Sequence, residues 1–211
     1  MTIGGLQKFT LLDYPGKIAA TIFVSGCNFR CPFCYNPELV LPEKIQEQPQ
    51  IPLEEIYEFL EERKNLLEGV VLCGGEPTIH KDLPQLAKKI RNLGYSIKLD
   101  TNGSNPEMIK KMVKDDLLDY VAMDVKAPKK KYQQLAGRKI DVKKIEKSIK
   151  FIKESGIDYE FRTTVVPKLL DKNDILSIAK WISPAKKYVL QEFKASKNID
   201  PKISQLKPYP K

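Results

Sequence analysis

Cys27, Cys31 and Cys34 fall in a C-x3-C-x2-C spacing within residues 25–37, a stretch that also carries the aromatics Phe33 and Tyr35. Three thiolates so placed can bind three irons of a four-iron cluster and leave the fourth iron open to a non-protein ligand. An open metal position is a reactive position. Zinc is the competing occupant: structural zinc takes four ligands, and Cys73 or the single histidine, His80, would have to supply the fourth. Cys73 reads better as a small buried residue, and His80, in the loop after Pro77, as a bystander. Three cysteines so close together, with the fourth far downstream, favour metal ligation in a reducing compartment over a disulfide framework.

Other chemistry-bearing groups follow short apolar runs. The paired glycines of Cys73-Gly74-Gly75-Glu76-Pro77 would let the backbone approach a ligand that a side chain would block. Asp100-Thr101-Asn102-Gly103 has the composition of a capped turn. Asp124-Val125-Lys126 sets an acid and a base two residues apart, on one side of a strand end.

These groups need a scaffold that brings strand ends together. Six β-branched runs, at 18–24, 69–73, 96–100, 120–124, 159–165 and 188–192, alternate with stretches of helical period. The helical stripes include Leu53, Ile56, Tyr57 and Leu60, then Leu83, Leu86, Ile90 and Leu93, stopping at Gly94. Asn105-Pro106 caps a third stripe, Asp141 precedes a fourth that ends before Gly156, and a fifth spans about 174–182. The proline-rich 41–52 reads as a surface loop. Repeated βα units imply an α/β protein with a parallel sheet, either doubly wound or a barrel, and periodicity does not separate the two. In both, ligands gather at the C-terminal ends of the strands, where the motifs above lie.

The 211 residues, 42% apolar, suit one domain: an N-terminal extension at 1–16, a βα core at 17–192 and a C-terminal tail at 193–211. The longest apolar stretch, 18–24, is too short to span a bilayer, and the N-terminus lacks a charged segment followed by an apolar one. The expectation is a soluble, cytoplasmic protein. The formal charge of +9 comes mostly from lysines interleaved with glutamates along amphipathic helices. The densest basic stretch, 126–131 with Arg138 and Lys139, is the one place suited to partner docking. Apart from Tyr132 it lacks the aromatics that nucleic acid would stack on.

The cysteine triplet with Phe33 before its last member resembles the signature of the radical S-adenosylmethionine superfamily. That resemblance implies a partial (β/α)6 TIM-type barrel with parallel strands. It makes Cys27, Cys31 and Cys34 the ligands of a [4Fe–4S] cluster whose fourth iron binds S-adenosylmethionine. One electron from the reduced cluster then cleaves the cofactor to methionine and a 5′-deoxyadenosyl radical. Gly74, Gly75 and Glu76 are similar to the segment that contacts the methionine amino group, and Phe33 and Tyr35 would border the cofactor. Asp100, Thr101 and Asn102, then Asp124 and Lys126, resemble elements of the glycyl-radical activating enzymes, the latter near the cofactor and a monovalent cation. Arg162 and Val165 resemble the segment beside the adenosine.

Residues 5–17 and 190–193 extend the likeness to the activating proteins of anaerobic ribonucleoside-triphosphate reductases. The implied partners are the large subunit of such a reductase and an electron donor such as flavodoxin or ferredoxin. Alternatives are a pyruvate formate-lyase activating enzyme, a small-molecule radical enzyme such as a 7-carboxy-7-deazaguanine synthase, and a non-catalytic zinc-binding recognition protein.

Overall fold

The computed structural model describes residues 1–210. The N-terminal segment forms β1 (Ile3–Thr10), antiparallel to β2 (Ala19–Val24). Five further strands follow: β3 (Gly69–Gly74), β4 (Ser96–Thr101), β5 (Tyr120–Asp124), β6 (Asp158–Val165) and β7 (Tyr188–Glu192). From β2 to β7 every neighbouring pair is parallel and the spatial order equals the chain order, leaving β1 and β7 as the two edges. This is the architecture of a partial (β/α) barrel, with helices outside and strand C-termini gathered along one rim.

The helices are α1 (Pro42–Gln46), α2 (Leu53–Glu62), α3 (Leu83–Asn92), α4 (Pro106–Lys114), α5 (Tyr132–Ala136), α6 (Val142–Glu154) and α7 (Lys172–Ile182). Each long helix buries one apolar stripe on the sheet. In α6, Ile145, Ile149 and Ile152 are buried while the lysines between them face outward, and each such isoleucine contributes roughly 1.5–3 kcal/mol. The expected caps are present: Asn105 accepts from the Met108 N–H at 3.3 Å and Asp141 from the Lys143 N–H at 3.0 Å.

Three elements escaped the sequence reading. The segment taken as an extension is strand β1, whose register shifts on both sides of residues 5–7 break the alternation that marks a strand. The proposed surface loop at 41–52 contains α1, a five-residue helix with proline in its first turn. Helix α5 is too short to show a period. It buries Tyr132 completely, edge-on to Trp181 at 5.9 Å, so that aromatic is no surface stacking residue. Among the described residues no helix is long and apolar enough to cross a membrane.

Candidate active site

The strand C-termini enclose a cavity of about 470 Å³, within the usual range for small-molecule and cofactor sites. The loop after β2 brings Cys27, Cys31, Cys34, Phe33 and Tyr35 into its wall, and the end of β3 adds Gly74, Gly75 and Glu76. The ends of β4 and β5 supply Asp100, Thr101, Asn102, Asp124 and Lys126, and β6 supplies Arg162. All of these were anticipated. Val165 was too, but Thr164 lines the cavity in its place. Alternate residues of a strand face one way, so Arg162 and Thr164 share a face that Val165 cannot.

The four cysteines are free. Burial pushes the thiol of Cys27 up to about 11 and that of Cys31 up to about 12, and raises Cys34 as well. Without a metal these sulfurs hold their protons, and a bound cation must displace them. Among the described residues no three His, Cys, Asp or Glu side chains converge on a single metal-ion position. A cluster does not ask for that convergence, because each thiolate takes its own iron. Three unpaired thiols on the wall of one cavity, Cys31 buried and Cys27 and Cys34 half-buried, therefore fit a cluster. Cys73 also lines the cavity, from within β3, whereas His80 lies outside the lining.

Why glycines occupy 74 and 75 differs from the sequence-based expectation. Gly74 has φ of +120°, and a Cβ there would strike the Val24 backbone, while one at Gly75 would strike the Gly26 carbonyl. The protein's own backbone demands these glycines first. It crosses there because the Gly75 N–H donates to Val24 O and the Glu76 N–H to Gly26 O, each at 2.8 Å.

Glu76 is 1% exposed, and its carboxylate accepts from the Thr78 N–H, the Thr78 hydroxyl, the Thr101 hydroxyl and the Asn102 N–H. Burial raises its carboxyl above the usual range, and these bonds oppose that rise. Asn28, which sequence reasoning passed over, continues the tie by donating to the Ser104 hydroxyl at 2.8 Å and accepting from Asn102 Nδ2 at 3.0 Å. The cysteine loop and the ends of β3 and β4 thus form one hydrogen-bonded rim.

The ends of β4, β5 and β6 carry a half-buried charge network. Arg162 Nε meets Asp124 Oδ1 and Arg162 Nη1 meets Asp100 Oδ2, both at 2.9 Å, and Lys126 Nζ lies 2.8 Å from Asp124 Oδ2. Lys98, 1% exposed and absent from the sequence-based site, pairs with Asp100. Burial alone would raise Asp124, but Arg162 and Lys126 outweigh it and hold its carboxyl well below the carboxylate range. The guanidinium of Arg162 spans the two carboxylates beside which the resemblance puts a monovalent cation, so protein cations already balance them.

The basic run 126–131 is partly engaged, while Lys130, Arg138 and Lys139 stay exposed. Lys126 belongs to the cavity, Lys129 pairs with Glu146, and Lys131 pairs with Asp174 at 2.6 Å. Other lining residues were missed: Gln7, Asp13 and Thr21 from the β1 side, Gln191, Glu192 and Lys194 from the β7 side. Gln7, Asp13, Gln191 and Glu192 fall in the segments that carried the family likeness, but nothing in those segments points to a cavity. Only the strand order places both edges around one space.

Fold and site together define a partial (β/α)-barrel enzyme with a thiol-lined cofactor cavity. A sequence profile described as the radical SAM superfamily matches residues 21–182, and the chain belongs to that superfamily, whose enzymes use a [4Fe–4S] cluster and S-adenosylmethionine. A Methanocaldococcus jannaschii protein provisionally named a glycyl-radical enzyme activating enzyme is 36% identical, over 99% of this chain and 86% of its own length. A second from that organism, with the same provisional name, is 29% identical over 85% of this chain and 68% of its own. The crystal structure of Streptococcus suis SuiB bound to S-adenosylmethionine superposes with a TM-score of 0.61 at 17% identity, over 81% of this chain and 41% of that one, a likeness of fold.

Proposed function

We propose that this chain activates a glycyl-radical enzyme, with an anaerobic ribonucleoside-triphosphate reductase as its target. Cys27, Cys31 and Cys34 would hold the cluster, which, when bound and reduced, supplies the electron that cleaves S-adenosylmethionine to a 5′-deoxyadenosyl radical. The observation carrying this reading is that all three cysteines share one cavity wall with Gly74, Glu76, Asp100, Asn102, Asp124 and Arg162. The activating-enzyme names of the two M. jannaschii relatives support a glycyl-radical partner. The reductase itself is supported by the likeness of residues 5–17 and 190–193.

The chain's own contributions are binding and orientation. Asp124, Lys126 and Arg162 place fixed charges and donors at the ends of β5 and β6, and Phe33 and Phe29 supply apolar wall that excludes water. Residues of both edge strands, Gln7 on β1 with Asp13 just after it and Gln191 and Glu192 on β7, line the same space. A cavity reached between two strand edges suits a loop of another protein.

The test is to reconstitute the protein anaerobically with iron and sulfide, reduce it with flavodoxin or ferredoxin, and add S-adenosylmethionine with candidate reductases. Formation of 5′-deoxyadenosine and a glycyl radical signal on the reductase by electron paramagnetic resonance is the expected result. Cofactor cleavage with no radical on any reductase would move the target to pyruvate formate-lyase or a small molecule. A protein that binds no iron would end the reading.

A further inference from the structure

The segment after β7, expected only as a tail, runs back along the cysteine loop. Phe193 is buried near its start and Ile203 near its end. Between them the chain offers donors to three consecutive carbonyls of the loop. The Asp200 N–H donates to Pro32 O at 3.0 Å and the Ile199 N–H to Cys34 O at 2.9 Å. The carbonyl between these two, Phe33 O, accepts from the side-chain Nδ2 of Asn198 at 2.8 Å.

Asn198 is 7% exposed and its amide is fully used. Nδ2 also donates to Lys194 O at 3.2 Å, and Oδ1 accepts from the Ser196 N–H at 3.1 Å. Its backbone N–H donates to the Ser204 hydroxyl at 3.2 Å, which locks the tail's own turn. A buried side chain with every polar hydrogen assigned is a fixed strut rather than a passing contact.

Two of these carbonyls, Pro32 O and Phe33 O, lie in the stretch that links Cys31 to Cys34 and the third follows Cys34 directly; the turn is otherwise closed by the Cys34 N–H donating to Cys31 O at 3.0 Å. Carbonyls held by the tail fix the planes of the peptides, and peptide planes decide where the two Cβ atoms point. We infer that Asn198 is a positioning residue for this loop: its amide clamps the Phe33–Cys34 peptide, between the carbonyls held by the Ile199 and Asp200 N–H groups, so that the thiols of Cys31 and Cys34 face the cavity beside Cys27. Asn198 itself does not line the cavity. The inference rests on the cluster reading of the three cysteines.

Asn198→Asp keeps the size of the side chain and its acceptor toward Ser196, but turns the donor aimed at Phe33 O into a carboxylate oxygen. Asn198→Ala removes both. Ile149→Val, in the core face of α6, serves as a control for general loss of stability. Two measurements apply: iron release to a chelator from the anaerobically reconstituted protein, and amide hydrogen exchange across residues 27–36 in the metal-free protein. Both Asn198 variants should release iron roughly tenfold faster than wild type, the scale of one buried hydrogen bond, and exchange the loop amides faster, with Ile149→Val within about twofold of wild type. Wild-type rates of release and exchange in Asn198→Asp would overturn the inference. A wild-type protein that holds no iron would refute the cluster reading instead, and exchange in the metal-free protein would still decide the role of Asn198.

Discussion

The carboxylate of Glu76 accepts the backbone N–H of Asn102 at 2.6 Å. One bond thereby joins the loop after β3 to the loop after β4, and the Thr101 hydroxyl, 2.7 Å from the same carboxylate, doubles the joint. Both loops line the cavity, so Glu76 acts as a rivet in its rim as well as a wall.

Glu76→Gln should therefore destabilise the fold, because its amide nitrogen cannot accept from the donors that one carboxylate oxygen now satisfies. The expected loss is about 2 kcal/mol, the cost of leaving buried donors without a charged acceptor. Urea denaturation of the metal-free protein measures it. A midpoint equal to wild type would mean that the rim does not depend on this joint.

Gly75→Ala should cost more than its added methyl suggests. The new Cβ would meet the Gly26 carbonyl, and that carbonyl is already held by the Glu76 N–H at 2.8 Å, so it cannot retreat without breaking the link. A loss of about 2 kcal/mol is expected from overpacking against backbone. Thermal melting will check it, and a stable Gly75→Ala protein would show that the β2 and β3 ends can move apart.

Asp124 gives a pH signature. Its carboxyl is depressed in the folded state by Arg162 and Lys126, against the effect of burial. A depressed carboxyl contributes stability that is present above the unfolded-chain value of about 3.9 and is lost as pH falls through the folded-state value. Asp124→Asn leaves two half-buried cations short of a carboxylate, although Arg162 keeps Asp100, and should cost about 2 kcal/mol at neutral pH. The difference between wild-type and variant urea midpoints should shrink as pH drops below about 4. A difference that stays constant across this range would mean that Asp124 is not charged in the fold.

The six parallel strands were legible because short apolar, β-branched runs alternate with stretches of helical period, and four of the runs lead straight into a motif. Strand β1 was not, since its two glycines and shifted register hide the alternation. Lys98 was invisible for a different reason. A lysine inside a strand reads as a solvent-facing residue, and its burial is explained by Asp100 on the same face and by the Tyr120 ring, 6.0 Å from its ammonium on the neighbouring strand. Asn198 contacts Phe33 across 165 positions, and no local pattern announces such a pairing. Periodicity reads neighbours along the chain, whereas these roles arise from neighbours in space.

All four cysteines line the cavity, and the proposed cluster site uses only three of them. Cys27, Cys31 and Cys34 sit on the loop after β2, whereas Cys73 sits within β3, its thiol pushed up to about 12 by burial and the charge of Asp100. Replacing any one of the first three with alanine should abolish iron retention and cleavage of S-adenosylmethionine, because two thiolates leave two irons of the cube without protein ligands. Cys73→Ala should retain iron and cleave the cofactor, at the cost of a small cavity in the wall. Iron and sulfide analysis of the four reconstituted variants, with 5′-deoxyadenosine measured after reduction, distinguishes the sets. Loss of iron in Cys73→Ala would make that cysteine a fourth ligand, closing the open iron position on which the proposed chemistry depends.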